Sequence, residues 1–315
     1  MVERFHRKYG ANLAELDKIL HRETTKLCVD LQDQFGYCIS NHGKRLRPLL
    51  GFLSAGPFFA EENAERVTLG MAAVELIHLA SLIHDDVLDK AEMRHTLMTV
   101  HRKFGSKTAV LIGDALFSLA FRLVTELEDI HIFSQLSVAV RRMCEGELRQ
   151  DFYSSNQTVP KLEDYFDTIA MKTGELFSLA CFMGSKLSQK DIRRDLSLTQ
   201  FGLHLGIAYQ ILDDIIDYSS NEKMTGKSIG TDYLEGRWTL PLILFYERAS
   251  STQRKLVSKR TKKNFLSLRS EMDNLQIFAE ASHILKKQLI LAFEFLQPLE
   301  APTASQLQEF AGVLF

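Results

Sequence analysis

Apolar residues recur every three or four positions through most of the chain, a spacing that predicts helices. The clearest stretches are TLGMAAVELIHLASLIHDDVLD (68–89), TAVLIGDALFSLAFRLVTEL (108–127), LEDYFDTIAMKTGELFSLACFMG (162–184) and LTQFGLHLGIAYQILDDIIDY (198–218). Several are apolar most of the way round, which suits the middle of a helical bundle. No stretch gives the two-residue alternation of a half-buried strand. Breaks fall at AGPFFAEENA (55–64), SSNQTVPK (154–161) and SSNEKMTGKSIGTDYLEGR (219–237). The first two carry short-turn chemistry, whereas the third is long and rich in Gly, Lys and Asp, as functional loops often are. With only six prolines and no composition shift, residues 1–315 read as a single all-α domain.

Composition narrows the function classes. The 315 residues are 45% hydrophobic and 25% charged, with a formal net charge of −2, so nothing suggests a nucleic-acid partner. The start, MVERFHRKYGANLAEL, has no apolar core of a secretory signal and no transit-peptide character. No window holds 18 consecutive apolar residues, which predicts a cytoplasmic protein with no membrane span. The cysteines at 28, 38, 144 and 181 form no zinc-like cluster and read as small buried or half-buried residues.

Two places break the apolar pattern at a cost. ASLIHDDVLDKAEMRH (80–95) sets Asp85, Asp86 and Asp89 behind an apolar helix, and AYQILDDIIDYSS (208–220) repeats this with Asp213, Asp214 and Asp217. Residues i and i+4 share a helix face, so Asp85 aligns with Asp89 and Asp213 with Asp217. Crowded carboxylates raise one another's pKa unless cations intervene. They also sit badly at a helix C-terminus. A lone cluster of this kind is often only a solvated helix end, but two copies call for hard divalent cations, above all Mg²⁺, which bridge carboxylates to substrate phosphates.

Basic groups complete the pattern. NHGKRLRPLL (41–50) carries Lys44, Arg45 and Arg47, and MRHTLMTVHRKFG (93–105) carries Arg94 and His95. MKTGE (171–175) adds Lys172 and Thr173, and GKSIGTDYLEGRWTLP (226–241) adds Lys227 and Arg237. Metal-bridged diphosphates need such groups for their remaining oxygens. The phosphate-binding loop of nucleotide-hydrolysing enzymes is absent.

Taken in order, GKRLRP, HxxxSLIHDDxxD, RxxxxT, KTG, YQxxDDxxD and GKxxGxDxxxGxxTLP resemble the trans-prenyl diphosphate synthases over about residues 40 to 245. The resemblance implies an all-α bundle around a central apolar cavity, usually a homodimer. It also implies ionisation of an allylic diphosphate on three Mg²⁺ ions and attack by isopentenyl diphosphate on the resulting cation. The implied product is a medium- or long-chain all-trans polyprenyl diphosphate. On the same basis Asp85, Asp86 and Asp89 serve two metal ions, and Asp213, Asp214 and Asp217 serve the third. Arg94, Lys172, Lys227 and Arg237 would grip the allylic diphosphate, with Thr173 and Gln210 lining the reacting end. Lys44, Arg47 and His78 would hold isopentenyl diphosphate, with His95 beside them. The growing tail would pass Ala80 and Ser81, which are small and leave the first gate open, then Val74 and Ile77, with Phe117 and Phe121 as a possible floor.

Three features depart from that pattern: Arg94-His95 replaces Arg-Arg, His42-Gly43 replaces Gly-Gly, and EFAGVLF lacks the family's customary basic ending. Other readings remain distinct. ELIH (75–78) and EDIH (128–131) have the Glu-x-x-His spacing of di-iron bundles, although the second falls at a polar junction. A terpene cyclase would need no isopentenyl site. A shorter-chain geranylgeranyl or farnesyl synthase differs in the gate, and a non-catalytic subunit of a heteromeric synthase would lack activity alone.

Overall fold

The structure, a computed structural model, describes residues 2–27, 29–40, 43–59, 61–94, 97–188, 191–219, 229–258 and 260–315. The fold is all-α. Among the described residues the only strands are Met93–Arg94 and Leu97–Met98, a small antiparallel hairpin pairing Met93 with Met98 and Arg94 with Leu97. Alternation could not reveal it, because two residues per strand contain no period. The chain groups into two compact units: Met1–Val140 with Leu176–Gly202 and Leu296–Leu314, and Arg141–Glu175 with Leu203–Phe295 and Phe315.

The first unit is organised on the helix Glu61–Leu88. Every residue from Met71 to Ile77 is buried, so this helix has no solvent face along two turns, as its nearly unbroken apolar sequence requires. It packs against Gly10–Thr25, Leu46–Ala55 and Ser106–Thr125. Gly51 and Gly184 permit a close approach of Leu46–Ala55 and Glu175–Ser188, since a Cβ on Gly184 would run into the Gly51 carbonyl. Asn63–Leu88 and Ser106–Thr125 are long and apolar enough to cross a membrane by length and composition. A count of consecutive apolar residues misses this because scattered polar residues interrupt both. For Asn63–Leu88, 72% of the most apolar window is buried in the protein, so its apolarity serves the core. The predicted junction at 128–131 is present: Ser106–Thr125 ends, Glu128 takes a left-handed φ of 52°, and Ile130–Ser155 begins.

The second unit packs Leu162–Ile169, the latter part of Ile192–Ser219 and Leu240–Arg248 around Tyr165, Ile211, Tyr218, Leu242 and Phe245. The aromatic rings of Tyr218 and Tyr233 lie 5.8 and 5.7 Å from Phe265. The stretch read as one helix over 162–184 is interrupted: Ala170–Gly174 forms a π-helical turn between Leu162–Ile169 and Glu175–Ser188. Such widened turns frequently mark functional positions, and this one contains Lys172 and Thr173. A Cβ on Gly146 would lie 2.8 Å from the Lys172 backbone nitrogen, so glycine there lets Ile130–Ser155 pack directly on the widened turn.

Candidate active site

In the first unit, Asp85 and Asp86 occupy the last turn of Glu61–Leu88, and Asp89 follows, its amide donating to the Asp85 carbonyl at 2.8 Å. Asp85 and Asp89 are half-buried and one turn apart, whereas Asp86 is buried. Arg94, brought back by the hairpin, donates from Nε to both Asp86 oxygens at 3.0 and 3.1 Å, and from Nη2 to Oδ1 at 2.6 Å. This charge-assisted pair compensates a carboxylate held both in the interior and at a helix C-terminus.

The basic segment before Leu46–Ala55 divides its labour. Lys44 is exposed. Arg45 adopts a left-handed φ of 49° and turns inward, bonding to buried Glu75 at 2.6 Å and to Asp17 at 2.8 Å. Glu75 Oε1 is therefore held by a guanidinium, which weighs against the ELIH half of the di-iron reading. Arg47 Nη1 lies 3.0 Å from His78 Nε2, and its guanidinium stacks 4.8 Å from the Phe177 ring centroid. Burial, followed by the charges of Arg47, Arg94 and Arg45, holds the His78 imidazole well below its ordinary pKa. Of the chain-length candidates, Val74, Ile77 and Ala80 are fully buried. Ser81 is half-buried and donates to the His78 carbonyl at 2.9 Å. Phe117 and Phe121 are half-buried, against His84 and Phe133.

In the second unit, a run of hydrogen bonds joins the π turn to the second carboxylate cluster. Thr173 Oγ1 donates to Gln210 Oε1 at 2.7 Å, and Gln210 Nε2 donates to Asp214 Oδ1 at 2.9 Å. The other Asp214 oxygen accepts from the Tyr165 hydroxyl at 2.7 Å and from the Leu240 amide at 3.2 Å. Asp217 accepts from the Thr231 hydroxyl at 2.8 Å and from the amides of Thr231 and Asp232, each at 3.2 Å. Asp213, by contrast, is exposed. Lys172 pairs with Glu147 at 2.5 Å, and Arg237 pairs with Asp232 and Glu235, both at 3.0 Å. His95 and Lys227 lie outside the described residues.

Burial and mutual repulsion dominate the electrostatics of this cluster. Burial, then the Asp232 charge, pushes Asp214 up to about 7 and Asp217 up to about 6, against the opposing hydrogen bonds. Burial also raises Asp232, with Arg237 opposing and Asp213 reinforcing the rise. Among the described residues no three His, Cys, Asp or Glu side chains form a ready-made metal site. Mg²⁺ takes one or two carboxylates and completes its shell with water and substrate phosphate. Asp85 and Asp89 are half-buried and Asp213 is exposed, whereas Asp86 and Asp214 are buried with the partners described above.

Motif reading did not single out Asp232, Tyr165 or Glu147. Asp232 lay within the matched GxD segment and was open to discovery. Tyr165 is 49 residues from Asp214, and no local spacing links them.

An all-α scaffold in which two apolar helices each end in an Asp-Asp-x-x-Asp cluster, with basic side chains set nearby, defines an enzyme class that handles diphosphates through metal ions. The chain belongs to the polyprenyl synthetase family, whose pattern it matches over residues 29–276. Its relatives are prenyltransferases of isoprenoid biosynthesis. It is 35% identical over 230 residues to octaprenyl diphosphate synthase of Haemophilus influenzae, covering 73% of this chain and 69% of that protein. The Escherichia coli octaprenyl diphosphate synthase is also 35% identical, with 73% and 70% covered. Among solved structures, a polyprenyl synthase from Caulobacter crescentus complexed with calcium and isoprenyl diphosphate superposes with a TM-score of 0.91 at 28% identity, over 100% of this chain and 97% of that one.

Proposed function

We propose that the chain condenses isopentenyl diphosphate with an allylic diphosphate in a divalent-metal-dependent reaction, giving a medium- or long-chain all-trans polyprenyl diphosphate. The observation that carries this reading is the pair of Asp-Asp-x-x-Asp clusters, each combining a solvent-reaching carboxylate with a buried one already secured by its own partners. Bound divalent ions, three Mg²⁺ in this reading, neutralise the diphosphate and stabilise the charge that develops as it leaves.

The side chains do the rest. Asp85, Asp89 and Asp213 offer ligand oxygens. Asp86, Asp214 and Asp217 support them from the positions that Arg94, Tyr165, Gln210 and Thr231 hold. Lys172, Lys227, Arg94 and Arg237 take diphosphate oxygens, while Lys44, Arg47, His78 and His95 belong to the isopentenyl diphosphate site. Thr173 and Gln210, aligned by their mutual hydrogen bond, line the reacting end. Apolar side chains keep water from the cation, and the departing diphosphate removes the last proton.

The reading extends to one synthase domain over 1–315, a cytoplasmic setting and a homodimer. In support of the dimer, Val110 and Leu111 on Ser106–Thr125 and Ile130 and Val138 on Ile130–Ser155 are large apolar side chains left exposed. Light scattering at twice the chain mass would bear that out. For the activity, the purified chain is incubated with isopentenyl and farnesyl diphosphates and Mg²⁺, and the dephosphorylated products are chromatographed. A ladder ending above C20 is expected. No elongation by the chain alone would favour a non-catalytic subunit, and an end at C15 or C20 a short-chain synthase.

A further inference from the structure

Lys172 is paired with one carboxylate and is felt electrostatically by another. On one side Glu147 Oε2 is 2.5 Å from its ammonium, with both side chains only about a quarter exposed. On the other side its charge reaches Asp232, which in turn feels Asp213. Three features fix the Glu147 side of this arrangement. Gly146 brings the helix Ile130–Ser155 against the Lys172 backbone, the π turn widens the chain at Lys172, and a second ion pair, Arg142 with Glu175, ties the same helix to the residue after that turn. An ammonium on a flexible stem could otherwise swing from Glu147 towards the second aspartate cluster. In that position it would compete with a divalent cation for the same oxygens.

The geometry points to Glu147 as a positioning residue that holds the Lys172 ammonium away from the second aspartate cluster, leaving Asp213 to a divalent cation until a diphosphate draws the lysine over. The inference rests on the proposed function. It assigns Glu147 no contact with metal or substrate; the residue acts only through Lys172. Exchange of the lysine from carboxylate to diphosphate is feasible because a partly exposed ion pair is weak, on the order of a few-fold in an equilibrium constant.

The test is a double-mutant cycle on the full chain, read as Mn²⁺ binding by electron paramagnetic resonance without substrate. Glu147→Gln should weaken Mn²⁺ binding about fivefold, the equivalent of one partly exposed ion pair. In a Lys172→Met background the same substitution should have no effect, and Lys172→Met alone should bind Mn²⁺ as well as wild type or better. Saturating inorganic diphosphate should close the gap between wild type and Glu147→Gln. Thermal melting confirms that each variant is folded, and Lys172→Met tests the idea even if Glu147→Gln is not. Persistence of the Glu147→Gln effect without the lysine would overturn the inference, since Glu147 would then act as a ligand or a simple charge. So would weaker binding in Lys172→Met, or wild-type protein that holds no Mn²⁺ in the millimolar range. Wild-type protein that fails to elongate farnesyl diphosphate defeats the proposed function instead, whatever the cycle gives.

Discussion

Arg47 Nη1 lies 3.0 Å from His78 Nε2, and the pairing assigns the imidazole proton. A guanidinium can only donate, so Nε2 accepts and the neutral ring carries its hydrogen on Nδ1. His78 therefore orients Arg47, and burial, followed by the surrounding arginines, keeps it uncharged. Its folded pKa lies below its unfolded value near 6.5, so the unfolded chain binds the proton more readily. The stability contributed by the neutral ring is complete above that value and is lost as pH falls below it. His78→Gln preserves an acceptor but cannot titrate. Denaturant unfolding of wild type should lose up to about 1.4 kcal/mol per pH unit more than His78→Gln below pH 6.5. Parallel curves between pH 6.5 and 5 would mean that His78 is protonated in the fold.

The two adjacent aspartates of the second cluster should separate by assay. Asp213 is exposed, whereas Asp214 joins Tyr165, Gln210 and Leu240 in the interior. Asp213→Ala should leave the melting temperature nearly unchanged and lower kcat at least about a hundredfold, as loss of a contact to a charged transition state does. Asp214→Ala strands three donors, two of them buried, and should cost about 3 kcal/mol of stability. Equal loss of stability in both variants would contradict the division of roles.

In the first cluster, Asp85→Ala should reduce kcat at least about a hundredfold while the fold is retained, because Asp85 is only half-buried, whereas Asp86 is buried. Arg94→Ala should instead lower stability as well, since it leaves the buried Asp86 carboxylate without its guanidinium. Turnover near wild type in Asp85→Ala would end the metal-ligand assignment.

Chain length provides a further comparison. Ser81 is half-buried one turn before Asp85, whereas Ala80 is fully buried. Ser81→Phe should shift the product towards C15 or C20 and retain a near-normal melting temperature. Ala80→Phe must displace core side chains, so any shortening should come with a loss of about 1–3 kcal/mol from overpacking. An unchanged product distribution in both variants would remove these positions from the gate.

Periodicity carried the helices far: the stretch read over 108–127 forms Ser106–Thr125, and the one over 198–218 lies within Ile192–Ser219. The two aspartate clusters were equally legible, because i and i+4 spacing is local and an apolar helix makes its carboxylates conspicuous. Three decisions came only with the tertiary structure. Arg45 turns inward to Glu75 while Arg47 meets His78, although the two stand in one basic run. Asp86 and Asp214 are engaged by Arg94 and Tyr165, while Asp213 remains exposed. The helical pattern over 162–184 conceals a π turn at Lys172, whose apolar spacing differs too little from that of an α-helix to register. Periodicity records which face of an element avoids water. The partner of a polar group depends on which side chain, often many residues away, comes within about 3 Å once the elements pack, and no sequence spacing encodes that distance.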